Sequence, residues 1–106
     1  MRRIEQPPAV HVLVCVNARD AASTGMPCCA AGNGQELYDR LHSETMRRGL
    51  LRRVFVSRSL CLAFCHADGV TVAIHPSRVW LQGCKPDDAA RIFSEHIEPL
   101  VTDDAG

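Results

Sequence analysis

The sequence has no surplus of charge of either sign, because twelve basic and twelve acidic side chains cancel. A chain that binds nucleic acid or another polyanion needs a basic excess, so that class of partner is not expected. Long apolar runs are missing too: uninterrupted ones such as Val12 to Val16 fall far short of the roughly 20 residues that span a bilayer. No membrane partner is expected. Met1-Arg2-Arg3 leads into Ile4-Glu5-Gln6-Pro7-Pro8, which lacks the apolar core of a secretory signal. The expectation is therefore a soluble, cytoplasmic protein. Two short patterns are absent as well. No Cys-x2-Cys occurs, which weakens a structural zinc knuckle and a thioredoxin-type redox pair, and no His-x3-His suggests zinc.

Against these absences stand six cysteines: Cys15, Cys28, Cys29, Cys61, Cys65 and Cys84. At 106 residues and 46% hydrophobic composition, one domain of this size buries roughly 60–65% of its unfolded surface and folds without disulfides. In a reducing compartment such thiols point first to ligands or redox chemistry. Cys61-Leu62-Ala63-Phe64-Cys65 can hold two thiolates on one side of a short loop. Two thiolates seldom complete a site, since tetrahedral iron or zinc takes four ligands. The remaining ligands must come from elsewhere in the chain.

Read in order, residues 1–9 are a polar, mobile lead-in with Pro7-Pro8. Residues 10–16, Val-His-Val-Leu-Val-Cys-Val, are nearly continuous in apolarity and read as a strand buried on both faces, with Cys15 near its end. A loop rich in small polar residues follows and carries Cys28 and Cys29. Asn33 then predicts a helix N-cap with Glu36 closing a capping box, Leu37, Tyr38, Leu41 and Thr45 its buried face, and Gly49 its C′ residue. Val54-Phe55-Val56 is a second strand, with the cysteine loop beginning near Ser57. Residues 70–75 and 79–82 form a hairpin about Pro76-Ser77-Arg78. Pro86, Asp87 and Asp88 open a final helix with its apolar stripe on Ala89, Phe93, Ile97 and Leu100. Residues 102–106 are a frayed tail, leaving 10–101 as the folded domain. The order is α/β: a βαβ unit, a β-hairpin and a C-terminal helix, as in a thioredoxin-like sandwich.

With the cysteines placed on that frame, the chain resembles the thioredoxin-like [2Fe-2S] ferredoxins of the Shethna type. The resemblance rests on His11-Val12-Leu13-Val14-Cys15-Val16, the twelve residues between Cys15 and Cys28, Gly32, and Cys61-Leu62-Ala63-Phe64-Cys65. Pro76-Ser77-Arg78-Val79-Trp80 and Lys85-Pro86-Asp87-Asp88 extend it towards the C-terminus. It implies a [2Fe-2S] cluster held by Cys15, Cys28, Cys61 and Cys65, with Cys29 as an alternative to Cys28. Ser57, Ser59, Arg19 and Arg58 are candidates to donate hydrogen bonds to the sulfurs.

The implied function is that of a one-electron carrier without enzymatic activity, serving a redox partner such as a reductase or an acceptor metalloenzyme, with a homodimer expected. The alternative is a redox-gated binding protein that protects an oxygen-sensitive metalloenzyme such as nitrogenase. Other residues have plainer roles. Cys84 reads as a buried small hydrophobe, His66 as a solvent-facing loop residue, and His11 and His75 as hydrogen-bonded strand residues. Trp80 and Phe55 read as core or subunit interface. Arg47, Arg48, Arg52 and Arg53 form a basic cluster that reads as a solvated face or a dock for an acidic partner.

Overall fold

The computed structural model describes residues 1–16, 33–60 and 69–104. Strand β1 (Val10–Cys15) leads into helix α1 (Gly34–Arg47), and β2 (Val54–Ser59), β3 (Val70–His75) and β4 (Val79–Cys84) follow. A C-terminal helix, residues 86–104, closes the chain. The sheet runs β2-β1-β3-β4. β1 and β2 are parallel, β3 lies antiparallel to β1, and β4 returns antiparallel to β3. This is the thioredoxin-like arrangement that the order of elements predicted.

Period-2 alternation decides which side chains meet the helices. Val10, Val12 and Val14 of β1, Val54 and Val56 of β2, and Val70, Val72 and Ile74 of β3 share one face. They form a single core with Leu37, Leu41, Ile92, Phe93 and Ile97 from the helices. Among the described residues, the opposite face carries His11 and Leu13 beside Phe55, Ser57 and Ser59, with Thr71, Ala73 and Trp80 further across. That face is covered towards its middle, where Thr71 and Ala73 are buried. Phe55 and Trp80 on the outer strands stay 51% and 46% exposed, so neither is a core residue.

Helix α1 buries Gly34, Leu37, Leu41 and Thr45, with Tyr38 half-buried at the core margin. The capping box does not form. Asn33 sits at the N-cap with φ 67°, and its side chain makes no capping bond. Glu36 instead takes a hydrogen bond from Arg40 at 3.0 Å, a side chain one turn on with the opposite charge. The C-terminus is as predicted: Gly49 has φ 70°, its N–H donates to Met46 O at 3.1 Å and that of Leu50 to Thr45 O at 3.0 Å. This is the Schellman pair of bonds, which satisfies the last carbonyls and requires a residue tolerant of positive φ.

Several elements differ from the sequence reading, β4 among them, which runs to Cys84 rather than ending at residue 82. β2 runs to Ser59 rather than ending before Ser57, because Ser57, Arg58 and Ser59 pair with Leu13, Val14 and Cys15. Ladder pairing overrides the weak strand propensity of serine. The C-terminal helix is not one regular α-helix: a 3-10 turn at Pro86–Asp88 and a π-helical stretch at Phe93–Ile97 flank Ala89–Ile92. Pro99 supplies the reason, since it has no N–H to return to residue 95 and its ring crowds that carbonyl. A widened turn just before it relieves both. The helix also continues to Asp104, past the expected frayed end, with Val101 buried in its last turns.

Candidate metal centre

Sheet topology brings one end of every strand pair to the same edge. β1, β2 and β4 all finish there and β3 begins there, as their parallel and antiparallel pairings require. Residue 16 ends the described part of β1, and Val16 N–H donates to Ser59 O at 2.9 Å. The chain therefore leaves β1 and β2 side by side, towards residues 17–32 and 61–68. Ends of adjacent parallel strands are where α/β sheets place ligands.

Cys15 is the described member of the expected ligand set. It is fully buried at the end of β1, paired across the ladder with Ser59. Its Sγ lies 3.9 Å from the carbonyl oxygen of Leu60, the residue that precedes Cys61 in sequence. A thiol on one strand end is thus held against the peptide leading to the next cysteine. Cys28, Cys29, Cys61, Cys65, His66, Arg19 and Gly32 lie outside the described residues. Among the described residues no group of three or more His, Cys, Asp or Glu side chains is placed to hold a metal ion.

Cys84 also stands at this edge, paired with Val70, and is 6% exposed. It packs in the core with Val70 and Ile92, and Cys15 belongs to the same core from the end of β1. Cys84, on the outer strand β4, is the buried small hydrophobe expected of it. Near it the backbone is tightly drawn. Gly83 has φ 74° at an irregularity in the β3–β4 register. A Cβ added at Gly69 would lie 2.6 Å from Cys84 O. Gly69 therefore fixes where the chain returns from residues 61–68, a role its place in the sequence does not reveal.

Polar neighbours of the site have other employments. Ser57 Oγ lies 2.8 Å from His11 Nε2, so that hydroxyl is already engaged two residues from the strand end. Burial and the charge of His75 both hold the His11 imidazole below its usual pKa of 6.5. The Arg58 guanidinium stacks over the Tyr38 ring at 5.4 Å, on the helical side of the sheet. The basic cluster after α1 is largely used within the fold. Arg47 and Arg48 pair with Glu44 at 2.6 and 3.0 Å. Arg48 also pairs with Glu98 at 2.6 Å and covers the Phe93 ring at 4.6 Å. This clamp joins α1 to the C-terminal helix, and spacing alone gives no sign of it.

The chain has the fold of the thioredoxin-like ferredoxins. It is similar to the wild-type thioredoxin-like [2Fe-2S] ferredoxin from Aquifex aeolicus, with a TM-score of 0.73 and 26% identity over 84% of this chain and 85% of that one. Two cysteine-to-serine variants of the thioredoxin-like [2Fe-2S] ferredoxin from the same organism align with TM-scores of 0.75 and 0.74. Each is 23% identical and covers 85% of this chain and 88% of its own. No family model and no curated protein matches the chain.

The donor chemistry fits the group that those proteins carry. Cluster irons take thiolate sulfur, and a buried thiol stands where the chain leaves two adjacent parallel strands.

Proposed function

We propose that this chain is an electron carrier that holds a [2Fe-2S] cluster on Cys15, Cys28, Cys61 and Cys65. The observation that carries this reading is the Cys15 sulfur, buried at the end of β1 and 3.9 Å from the Leu60 carbonyl. Similarity to a [2Fe-2S] ferredoxin over 84% of the chain supports it. When bound, such a cluster takes up and releases single electrons at a potential tuned by hydrogen bonds and burial.

The chain's own contribution is to present thiolates from a rigid base. β1 is held on both sides, by β2 and by β3, with Cys15 in the ladder to β2 and its neighbour Val14 in both ladders. The His11–Ser57 contact at 2.8 Å ties the same pair of strands one face-repeat below. A rigid base keeps the geometric change on electron transfer small. No substrate chemistry is proposed, so the protein is read as a carrier and not an enzyme, working with a redox partner protein in the cytoplasm, where thiolate ligands stay reduced.

We also propose a homodimer. Trp80, at 46% exposure on the face opposite the helices, is the large apolar group that a second copy would cover. Sedimentation should then give twice the chain mass, with Trp80→Lys shifting it to the monomer.

Anaerobically purified protein should contain two irons and two sulfides per chain, show visible charge-transfer bands and give a paramagnetic signal after one-electron reduction. Colourless protein with stoichiometric zinc would overturn the proposal. If affinity for the partner changes between the oxidised and reduced states, the function becomes redox-gated binding rather than carriage alone.

A further inference from the structure

β2 is an edge strand: among the described residues it pairs with β1 alone. Val10 N–H donates to Arg53 O and Val16 N–H to Ser59 O. The parallel ladder therefore turns the main-chain groups of residues 53, 55, 57 and 59 inward. By the same alternation, the N–H and C=O of Val56 and Arg58 point away from the sheet. Beside this edge lies a groove of about 430 Å³, lined by Tyr38 and His42 of α1, Leu51 of the preceding turn, and Phe55 and Arg58 of β2. Leu51 and Phe55 are 53% and 51% exposed.

We propose that this edge binds an extended, acidic segment of a partner protein, which adds as a fifth strand beside β2. The outward main-chain groups of Val56 and Arg58 pair with its backbone, as in strand addition generally. Its apolar side chains rest on Leu51 and Phe55. Its carboxylates meet Arg58, and Arg52, which is exposed in the turn leading into β2. Charge selects this occupant. None of the described residues lining the groove carries a carboxylate. A second copy paired edge to edge would bring Arg58 of each chain towards Arg52 and Arg53 of the other, and like charges across an interface are unfavourable. Aromatic and arginine side chains are also the types that dominate binding energy.

The site deepens the carrier reading, resting on it for the partner's role but not for the binding itself. Ser59, which faces Cys15 in the ladder, follows Arg58 directly. A strand docked on β2 would end roughly 13 Å of strand rise or less from the proposed centre.

The test uses the full-length protein and a fluorescein-labelled peptide of alternating glutamate and valine, with anisotropy as the readout. Binding should weaken at least about tenfold in Arg58→Glu, and most of it should survive in Arg58→Lys. The same peptide N-methylated at alternate amides, added to the unaltered protein, should not bind, because its main-chain donors are gone. A lysine–valine peptide should not bind either. Equal binding of the N-methylated or lysine peptide, no binding of the glutamate peptide, or no effect of Arg58→Glu would each overturn the proposal. So would a self-association that persists in Trp80→Lys and is abolished by Arg58→Glu, which would make a second copy the occupant. Iron content is read on the same samples. Peptide binding without iron sinks the carrier reading alone, and iron without peptide binding sinks the edge site alone.

Discussion

The two faces of the sheet are made from the same strands and differ by one residue of register. On the covered face, Val10, Val12, Val14, Val54, Val56, Val70, Val72 and Ile74 meet the helices and are buried. On the other, His11, Leu13, Phe55, Ser57 and Trp80 mix polar, aliphatic and aromatic chemistry, and two of them remain about half exposed. One face supplies stability and the other supplies groups that can act. Cys15 and Cys84 differ by strand. Both are buried thiols in the same core and at the same edge, yet only Cys15 ends the strand beside β2, against the Leu60 carbonyl.

Exchanging the two thiols tests this contrast most severely. Cys15→Ser should lose the visible absorption and most of the iron, while Cys84→Ser should keep both; the opposite result would exchange the roles assigned to the two cysteines. Next in size is a pair of aromatic truncations. Phe93→Ala empties a fully buried position in the covered core and should cost about 3–5 kcal/mol in urea unfolding. Phe55→Ala on the other face should stay near 0.5–1 kcal/mol, and equal losses would show that the second face is also core. Gly69→Ala comes third. Its Cβ would press on the Cys84 carbonyl, so a cost of about 1–3 kcal/mol is expected, read from the same unfolding curves in protein prepared without iron. A neutral effect would mean that the close approach to β4 is not needed.

The smallest effect concerns pH. The folded pKa of His11 lies below 6.5, mainly through burial and further through His75. Below pH 6.5 the unfolded chain takes up a proton that the folded chain resists, so stability falls as pH drops from 6.5 through the folded pKa and is complete above that window. His11→Gln should flatten the dependence in that range. An unchanged slope would assign it to other groups.

Much of the covered face is legible without coordinates. The nearly continuous apolarity of residues 10–16, the spacing of Leu37, Leu41 and Thr45, and Gly49 after α1 announce a strand, a helix and its stop, because each depends on neighbours within one or two turns. Ser57 to Ser59 were not legible as strand, since their conformation comes from pairing with Leu13 to Cys15 some 45 residues away. The capping box at Asn33 failed for a related reason: Arg40, one turn on, takes the Glu36 carboxylate and holds Asp87 as well. The π-helical stretch had a local signal in Pro99, which the apolar stripe around it obscured.

By itself the sequence determined the order of elements, the residues that form the core, and a set of cysteines whose number and spacing suit thiolate chemistry. These follow from local propensity, periodicity and composition. Which cysteine lies beside which strand, and which strand edge lies open, were decided only by the tertiary structure. Pairing with distant strands fixes register, and register fixes what each side chain meets. Cys15 thereby comes to rest against the carbonyl of Leu60, while Cys84 is buried at the same edge on β4.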